Sequence, residues 1–441
     1  MPHLRSNRSG TSTQARSNSA AKKRSRALLA AACMVLFSSA GYGQIQPSSP
    51  AYVPISMQQA VDLARAKNPT LLSAQQNLLS VKAQEIQAGV RANPYFAFAG
   101  SNITLPAEGA ANPYQYSLQV SRLFERGEKR RWRLDSAHST TAQTDAQYHA
   151  QEEQTVLAVR QAFTNFVIAK AAKKLADDNL GDFKHELDIA RERLKAGDLA
   201  KLDFERLDLQ LAQFESDESN ALTNAQQASA QLQVLLGYDK PRQDFDVVGD
   251  VVPPLVSGTM ADLEQKALAA RPDFHAAHLG VAVADANVKL AYANGTTDPT
   301  VEGEYDRSGT FNSAGFNLSI PLRLFDRNQG NKETSKYVAQ SSRFTQLAVR
   351  NQVVCDVDQA WIGYTNAKVL SDRYNGHYLD EAKDVLDISK FSYEHGGLAL
   401  IDYLDALRES RSVTSDALNA YSQTWMAIHQ LSFASATEVI P

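Results

Sequence analysis

A chain of 441 residues is long enough for two or three ordinary domains or for one large elongated one. Its net charge of −4 supplies no global basic field that would attract nucleic acid. Aromatics make up only 8%, Ala and Gln are abundant, and Gly and Pro bunch in a few places, which suits long helices joined by short loops better than a many-stranded globule.

Residues 1–43 read as an export signal that is cleaved. Lys22, Lys23, Arg24 and Arg26 form a basic stretch, Ala27–Phe37 an apolar run too short to span a membrane, and Ala40 and Gly43 a small-residue exit. Cys33 raises a lipoprotein reading, but "AAAC" lacks the usual Leu three residues upstream and the apolar run continues past the Cys. With the leader removed, Cys355 is the one cysteine left, so neither an intramolecular disulfide nor a Cys-based zinc site can form. No later segment holds the ~20 apolar residues of a spanning helix, which leaves a β-barrel as the way to meet a membrane.

From there the chain says nearly the same thing twice, about 200 residues apart. "AKNPTLLSAQ" (Ala66–Gln75) answers "AARPDFHAAH" (Ala269–His278), and "RLFERGE" (Arg122–Glu128) answers "RLFDRNQ" (Arg323–Gln329). "VRQAFTNFVIAK" (Val159–Lys170) answers "VDQAWIGYTNAK" (Val357–Lys368), and "LKAGDLAKLDF" (Leu194–Phe204) answers "YEHGGLALIDY" (Tyr393–Tyr403). Four matches in one order predict a duplication: a first structural repeat over 44–236, a Pro/Gly-rich linker over 237–258, a second repeat over 259–436 and a short tail, 437–441.

Each repeat opens on a helix begun at an X-Pro step, Pro69 or Pro272. Next come alternating segments, expected as hairpins over 95–124 and 300–324. In "QYSLQVSRLF" (Gln115–Phe124) the residues Tyr116, Leu118 and Val120 alternate with Ser117 and Gln119. "GFNLSIPLRL" (Gly315–Leu324) repeats the pattern, and its expected partner carries Glu302, Glu304 and Asp306 on the polar side. Loops are expected at Leu105–Tyr114 and Ser308–Ala314. About ten residues is the length of a tilted membrane-crossing strand, although a half-buried hairpin reads the same way. Long helices follow, over 128–236 and 329–434. Val159, Phe166, Phe183, Leu187 and Leu194, then Leu207, Leu211, Phe214 and Leu232, step by threes and fours as a sustained heptad seam. Four strands cannot close a barrel, and an open sheet edge in lipid leaves backbone groups unpaired, so spanning hairpins require several copies to pool their strands.

This duplicated helix–hairpin–long-helix-pair plan, with "NPTLLSAQ" and the turn motifs "LKAGDLAKLDFERL" and "HGGLALIDYLDA", resembles the outer membrane factor family, the TolC-like outer membrane efflux proteins, along the whole mature chain. The turns are most similar to the CzcC-like branch that serves metal-cation pumps, so the cargo the resemblance implies is metal cations or small toxic compounds. The resemblance implies a mainly α chain with a small β part: a homotrimer with a twelve-stranded outer-membrane β-barrel on a periplasmic α-helical barrel. It implies partners too, namely a periplasmic adaptor, an inner-membrane pump expected to be proton-driven, and outer-membrane lipid, with no nucleic acid, no cofactor and no catalysis by the duct itself. The two acids of "IDYLDA", Asp402 and Asp405, match a ring at the constricted pore entrance that concentrates cations, and Asp203, which matches the acid of the first helical hairpin, is expected in the same ring. Gly197, Leu199, Tyr393, Gly396, Gly397 and Leu398 fall at the periplasmic tip where an adaptor docks. Leu398 departs from the best-known member, which has an Arg there that helps to lock the entrance. A solvated helix face remains the plain alternative for the acids.

Other chemistry is sparse. His275 and His278 could share a helix face but have no third ligand nearby in the sequence. "RGEKRRWRLDS" (Arg126–Ser136) reads either as a solvated basic helix start or as a junction where basic side chains and Trp132 sit at lipid headgroups. Two other functions stay open at this level: a type I protein secretion duct of the same architecture, and a structural coiled-coil protein of the periplasm.

Overall fold

The structure is a computed structural model that describes residues 54–101 and 114–440. The leader, Cys33 and most of the first hairpin's expected loop lie outside the described residues.

The elements run in two similar sets. The first comprises α1 (Met57–Lys67), α2 (Pro69–Gly89), β1 (Tyr95–Ser101), β2 (Gln115–Leu123), α3 (Lys129–Ala196) and α4 (Lys201–Leu235). The second comprises α5 (Met260–Ala270), α6 (Pro272–Asn294), β3 (Thr300–Ser308), β4 (Phe311–Ser319), α7 (Gln329–Arg373), α8 (Leu379–Glu394) and α9 (Leu400–Ser435). None of the described helices is long and apolar enough to cross a membrane.

The starts of α1 and α5 obey capping chemistry. Ser56 and Gln59 close a reciprocal capping box, and Thr259 accepts the Asp262 N–H. Each helix then stops because Pro69 and Pro272 push the preceding residue, Asn68 or Arg271, to extended backbone. Asn68 turns this to use: its carboxamide accepts the N–H groups of Thr70 and Leu71, starting α2 at once, and donates to the Leu235 carbonyl at the end of α4. Arg271 works differently. It is almost wholly buried, beneath Phe433, and is held by Asp273 and Asp356.

α3 is 68 residues long, about 100 Å at 1.5 Å per residue. In the second repeat the equivalent rod is broken once, by a π turn at Tyr374–Tyr378 between α7 and α8. Val357 stands 198 residues after Val159, whereas Tyr393 stands 199 after Leu194, so one extra residue lies between these matches. One inserted residue would rotate the rest of an α-helix by about 100° and throw the seam off its partner. The wider π turn absorbs it.

Two equivalent cores hold the middle of the molecule. Val61, Val159, Phe163, Leu232, Leu236 and Val247 form one, and Leu263, Val353, Val357, Ile428 and Leu431 the other. The segment between the repeats is packed against both. Val247 bridges Ile55, the Val251 carbonyl accepts from Trp425 Nε1, and the Val256 N–H donates to the Tyr364 hydroxyl.

The strands make one antiparallel sheet in the order β1-β2-β3-β4. Phe96, Val120, Gly303 and Phe316 stand side by side across it, as do Phe98, Leu118, Tyr305 and Ala314. Every second residue therefore joins one apolar face. The opposite face carries Gln119, Glu304 and Asp306, with Gln119 Nε2 donating to Glu304 at 2.8 Å. No strand residue is buried, and Phe316 is 86% exposed. The second hairpin departs from expectation. Its turn is Gly309-Thr310 rather than Ser308–Ala314, and β4 ends at Ser319 rather than Leu324. Gly309, at φ +56°, supplies the left-handed first position of a two-residue turn, and Pro321, without an N–H, cannot extend the ladder.

Candidate functional site

The expected site residues gather at the end of the helices farthest from the sheet. Both turns there are built alike. After α3, the Asp198 N–H donates to the Arg193 carbonyl and Gly197 to Leu194; after α8, Gly397 donates to Ser392 and Gly396 to Tyr393. This double closure needs a left-handed residue, and Gly197 (φ +86°) and Gly396 (φ +75°) provide it. Leu199 and Leu398, the next large residues, tuck into a shared core of Phe183, Leu187, Leu207, Phe214, Leu400 and Leu404. Phe183 and Phe214 stack at its centre, 4.4 Å apart.

Asp203 and Asp402 occupy equivalent places in the first turns of α4 and α9. There a carboxylate also faces the free N–H groups of the helix start, a favourable position in any helix. Leu404 is buried, Leu407 packs partly against the core, and Asp402 and Asp405 project outward as exposed residues. Asp405 accepts from Arg408 at 2.9 Å and Asp203 lies 3.6 Å from Arg206, whereas Asp402 has no cationic partner among the described residues.

Sequence reasoning missed the group that ties the two helix pairs together here. Glu186 of α3 accepts from Lys390 of α8 at 2.6 Å and from the Tyr403 hydroxyl of α9 at 2.5 Å. Burial and the neighbouring Glu186 carboxylate push the Tyr403 phenol well above its ordinary range, so it stays protonated and donates. Tyr393 stacks on Tyr403, with ring centres 5.2 Å apart, under the Arg193 guanidinium. One signal was available: Tyr403 stands where the first repeat has Phe204, and a buried phenol needs a partner that a phenyl does not. Farther along the same groove Arg411 pairs with Asp217 and lies over Phe214.

His275 and His278 form no metal cluster: His278 lies 3.0 Å from the Gln346 carboxamide, and among the described residues no group of three His, Cys, Asp or Glu side chains is arranged to hold a metal ion. Cys355 is exposed on α7, within reach of Gln359.

Long paired helices that close at one end on tight turns and carry at the other a sheet with one apolar face are the parts of a membrane channel with a helical extension. The sequence matches the family described as outer membrane efflux protein over residues 60–238 and 263–437, and the chain belongs to that family. It is 24% identical over 376 residues to the cobalt-zinc-cadmium resistance protein CzcC of Cupriavidus metallidurans, covering 85% of this chain and 88% of the relative. It is 22% identical over 321 residues to the outer membrane protein TolC of Vibrio cholerae, covering 69% and 72%. Among solved structures the channel CusC has the same fold, with a TM-score of 0.72 at 19% identity over 87% of this chain and 93% of that one. The chain is thus an outer-membrane efflux channel of the kind that forms the exit duct of a tripartite pump, a transporter rather than an enzyme. Members of the family form trimeric channels that work with adaptor and inner-membrane pump proteins.

Proposed function

We infer that three copies of this chain pool their sheets into a twelve-stranded barrel in the outer membrane, continuous with a periplasmic tunnel of their helices. In such a channel 44–236 and 259–436 are the repeats, 237–258 the linker, 437–441 the tail and 1–43 the export leader. One observation carries it: a four-stranded sheet with two unpaired edges, β1 and β4, and an apolar face on which no residue is buried and Phe96, Phe98, Val120 and Phe316 are exposed. In lipid each unpaired edge group costs several kcal/mol, so the edges must find strands of other copies. α8 points the same way, because none of its residues is buried and Val385, Ile388 and Phe391 stand exposed on it.

The cargo is a metal cation, delivered by a periplasmic adaptor that docks at the turns around Gly197, Leu199, Tyr393, Gly396, Gly397 and Leu398 and by a proton-driven inner-membrane pump. The name of the CzcC relative supports the cargo, and the exposed Asp402 and Asp405 support a cation-attracting entrance, with Asp203 beside it. Detergent-extracted protein should run at three times the mass of one chain, and deleting its gene should lower tolerance to cobalt, zinc or cadmium. A monomer refutes the duct. Unchanged tolerance to all three metals, with the trimer intact, refutes only the cargo.

A further inference from the structure

We propose that the junction between sheet and helices is a binding surface for anionic phospholipid headgroups in the leaflet facing the periplasm, which rests on the membrane-spanning reading above. The junction is one tightly joined place. The Phe124 N–H donates to the Pro299 carbonyl, Arg126 N–H to Asp298, and Lys129, buried, to Thr296 and Asp298. Asn328 Nδ2 donates to the Ala291 carbonyl, bringing in the start of α7. The beginnings of α3 and α7 thus flank the end of α6 just below the strands.

On this platform cations alternate with aromatic rings. Trp132 lies between Arg131 and Lys289, 4.9 and 5.0 Å from its ring centre. Tyr292, one turn beyond Lys289 on α6 and half exposed, lies between Lys332 and Lys336, at 5.3 and 5.8 Å. Arg122 ends the apolar face of β2, in register with Val301, over the Phe124 ring at 5.2 Å. Arg122, Lys289 and Lys332 have no carboxylate partner among the described residues, unlike the ion-paired Lys129, Arg131 and Arg133 close by.

Position decides what such a strip binds. The apolar face runs down into exposed Ile320, Leu322 and Leu324, and the free cations begin where it stops. Aromatic rings and long basic side chains are the groups that rest at an interface, with their stems in the apolar layer and their charges among phosphates. A row of unpaired cations favours lipids with net negative charge over zwitterionic ones, by a factor of about five for each cation engaged.

The test reconstitutes the full chain in vesicles of phosphatidylethanolamine with a minor share of phosphatidylglycerol, re-extracts it and measures the lipids retained. Phosphatidylglycerol should be enriched about fivefold over the bulk ratio. The enrichment should fall with salt and return to the bulk ratio in the Arg122→Gln/Lys289→Gln/Lys332→Gln variant, whose trimer and insertion persist because all three changes lie at the surface. Retention at the bulk ratio by the unaltered protein, or equal enrichment in the variant, overturns the proposal while leaving the membrane reading intact. Displacement by millimolar inorganic phosphate also overturns it, since the strip would then bind phosphate as such. Failure of the protein to float with vesicles sinks the membrane reading, and this proposal with it.

Discussion

Asp402 and Asp405 differ although they share a helix face. Arg408 sits 2.9 Å from Asp405 and cancels part of its field, while Asp402 carries its charge without a cationic neighbour among the described residues. Asp402→Asn should therefore reduce cation selectivity in planar bilayers more than Asp405→Asn. Equal effects, or the reverse order, would overturn the proposal that Asp402 leads a cation-attracting entrance. His429 gives a second prediction at this scale. It is buried against Trp425, within 2.8 Å of the Thr164 hydroxyl, and burial near Arg160 pulls its pKa down to about 3. Folded, it stays neutral where an unfolded chain takes up a proton. Its contribution is whole above the ordinary value near 6.5 and is lost progressively from there down to about 3. At pH 5 the loss is about 2 kcal/mol. Melting curves between pH 7 and 4 should show this slope, and His429→Gln should flatten it.

Among the elements, the sheet carries the strongest asymmetry. Phe316 and Asn317 are neighbours on β4 that point to opposite faces, and both are exposed in the single chain. Phe316→Lys places a charge on the lipid side and should cost about 2–4 kcal/mol near the bilayer midplane, enough to cut the inserted yield. Asn317→Lys should insert normally, because it joins the polar face with Glu302. Heat-modifiable mobility of the membrane fraction would separate the two; equal insertion would deny that the sheet has a lipid face. The π turn at Tyr374–Tyr378 belongs to this scale as well. It lets Tyr393 and Leu398 reach the same core as Leu194's end of α3 despite the additional residue.

For the whole molecule, the question is what covers the exposed flank of α8. Val385, Ile388 and Phe391 are 50%, 66% and 62% exposed, apolar, and spaced by three, a seam that nothing in the single chain covers. Ile388→Glu with Phe391→Glu should leave helix content by circular dichroism unchanged and shift detergent-extracted protein from trimer toward monomer. A persistent trimer would place this flank toward solvent instead of a neighbouring copy.

The duplication, the heptad seams, the alternating strands and the glycine turns were legible in the order of residues. Each of these follows from neighbours along the chain: periodicity sets which face is apolar, Pro69 and Pro272 end one helix and start the next, and Gly197 and Gly396 take up the left-handed closure without the penalty a Cβ would bring. The same order also placed Asp203, Asp402 and Asp405 near the turns, because distance from a turn is counted in residues. Other features arise from packing between segments distant in the chain. Gly309 and Pro321 mark the turn and the end of β4 locally, but register with β3 decided that the ladder runs from Phe311 to Ser319. Glu186 meets Lys390 and Tyr403 from more than 200 residues away, and Lys289 meets Trp132 from across two helices. Such contacts depend on how rods lie side by side, and no local pattern encodes that distance.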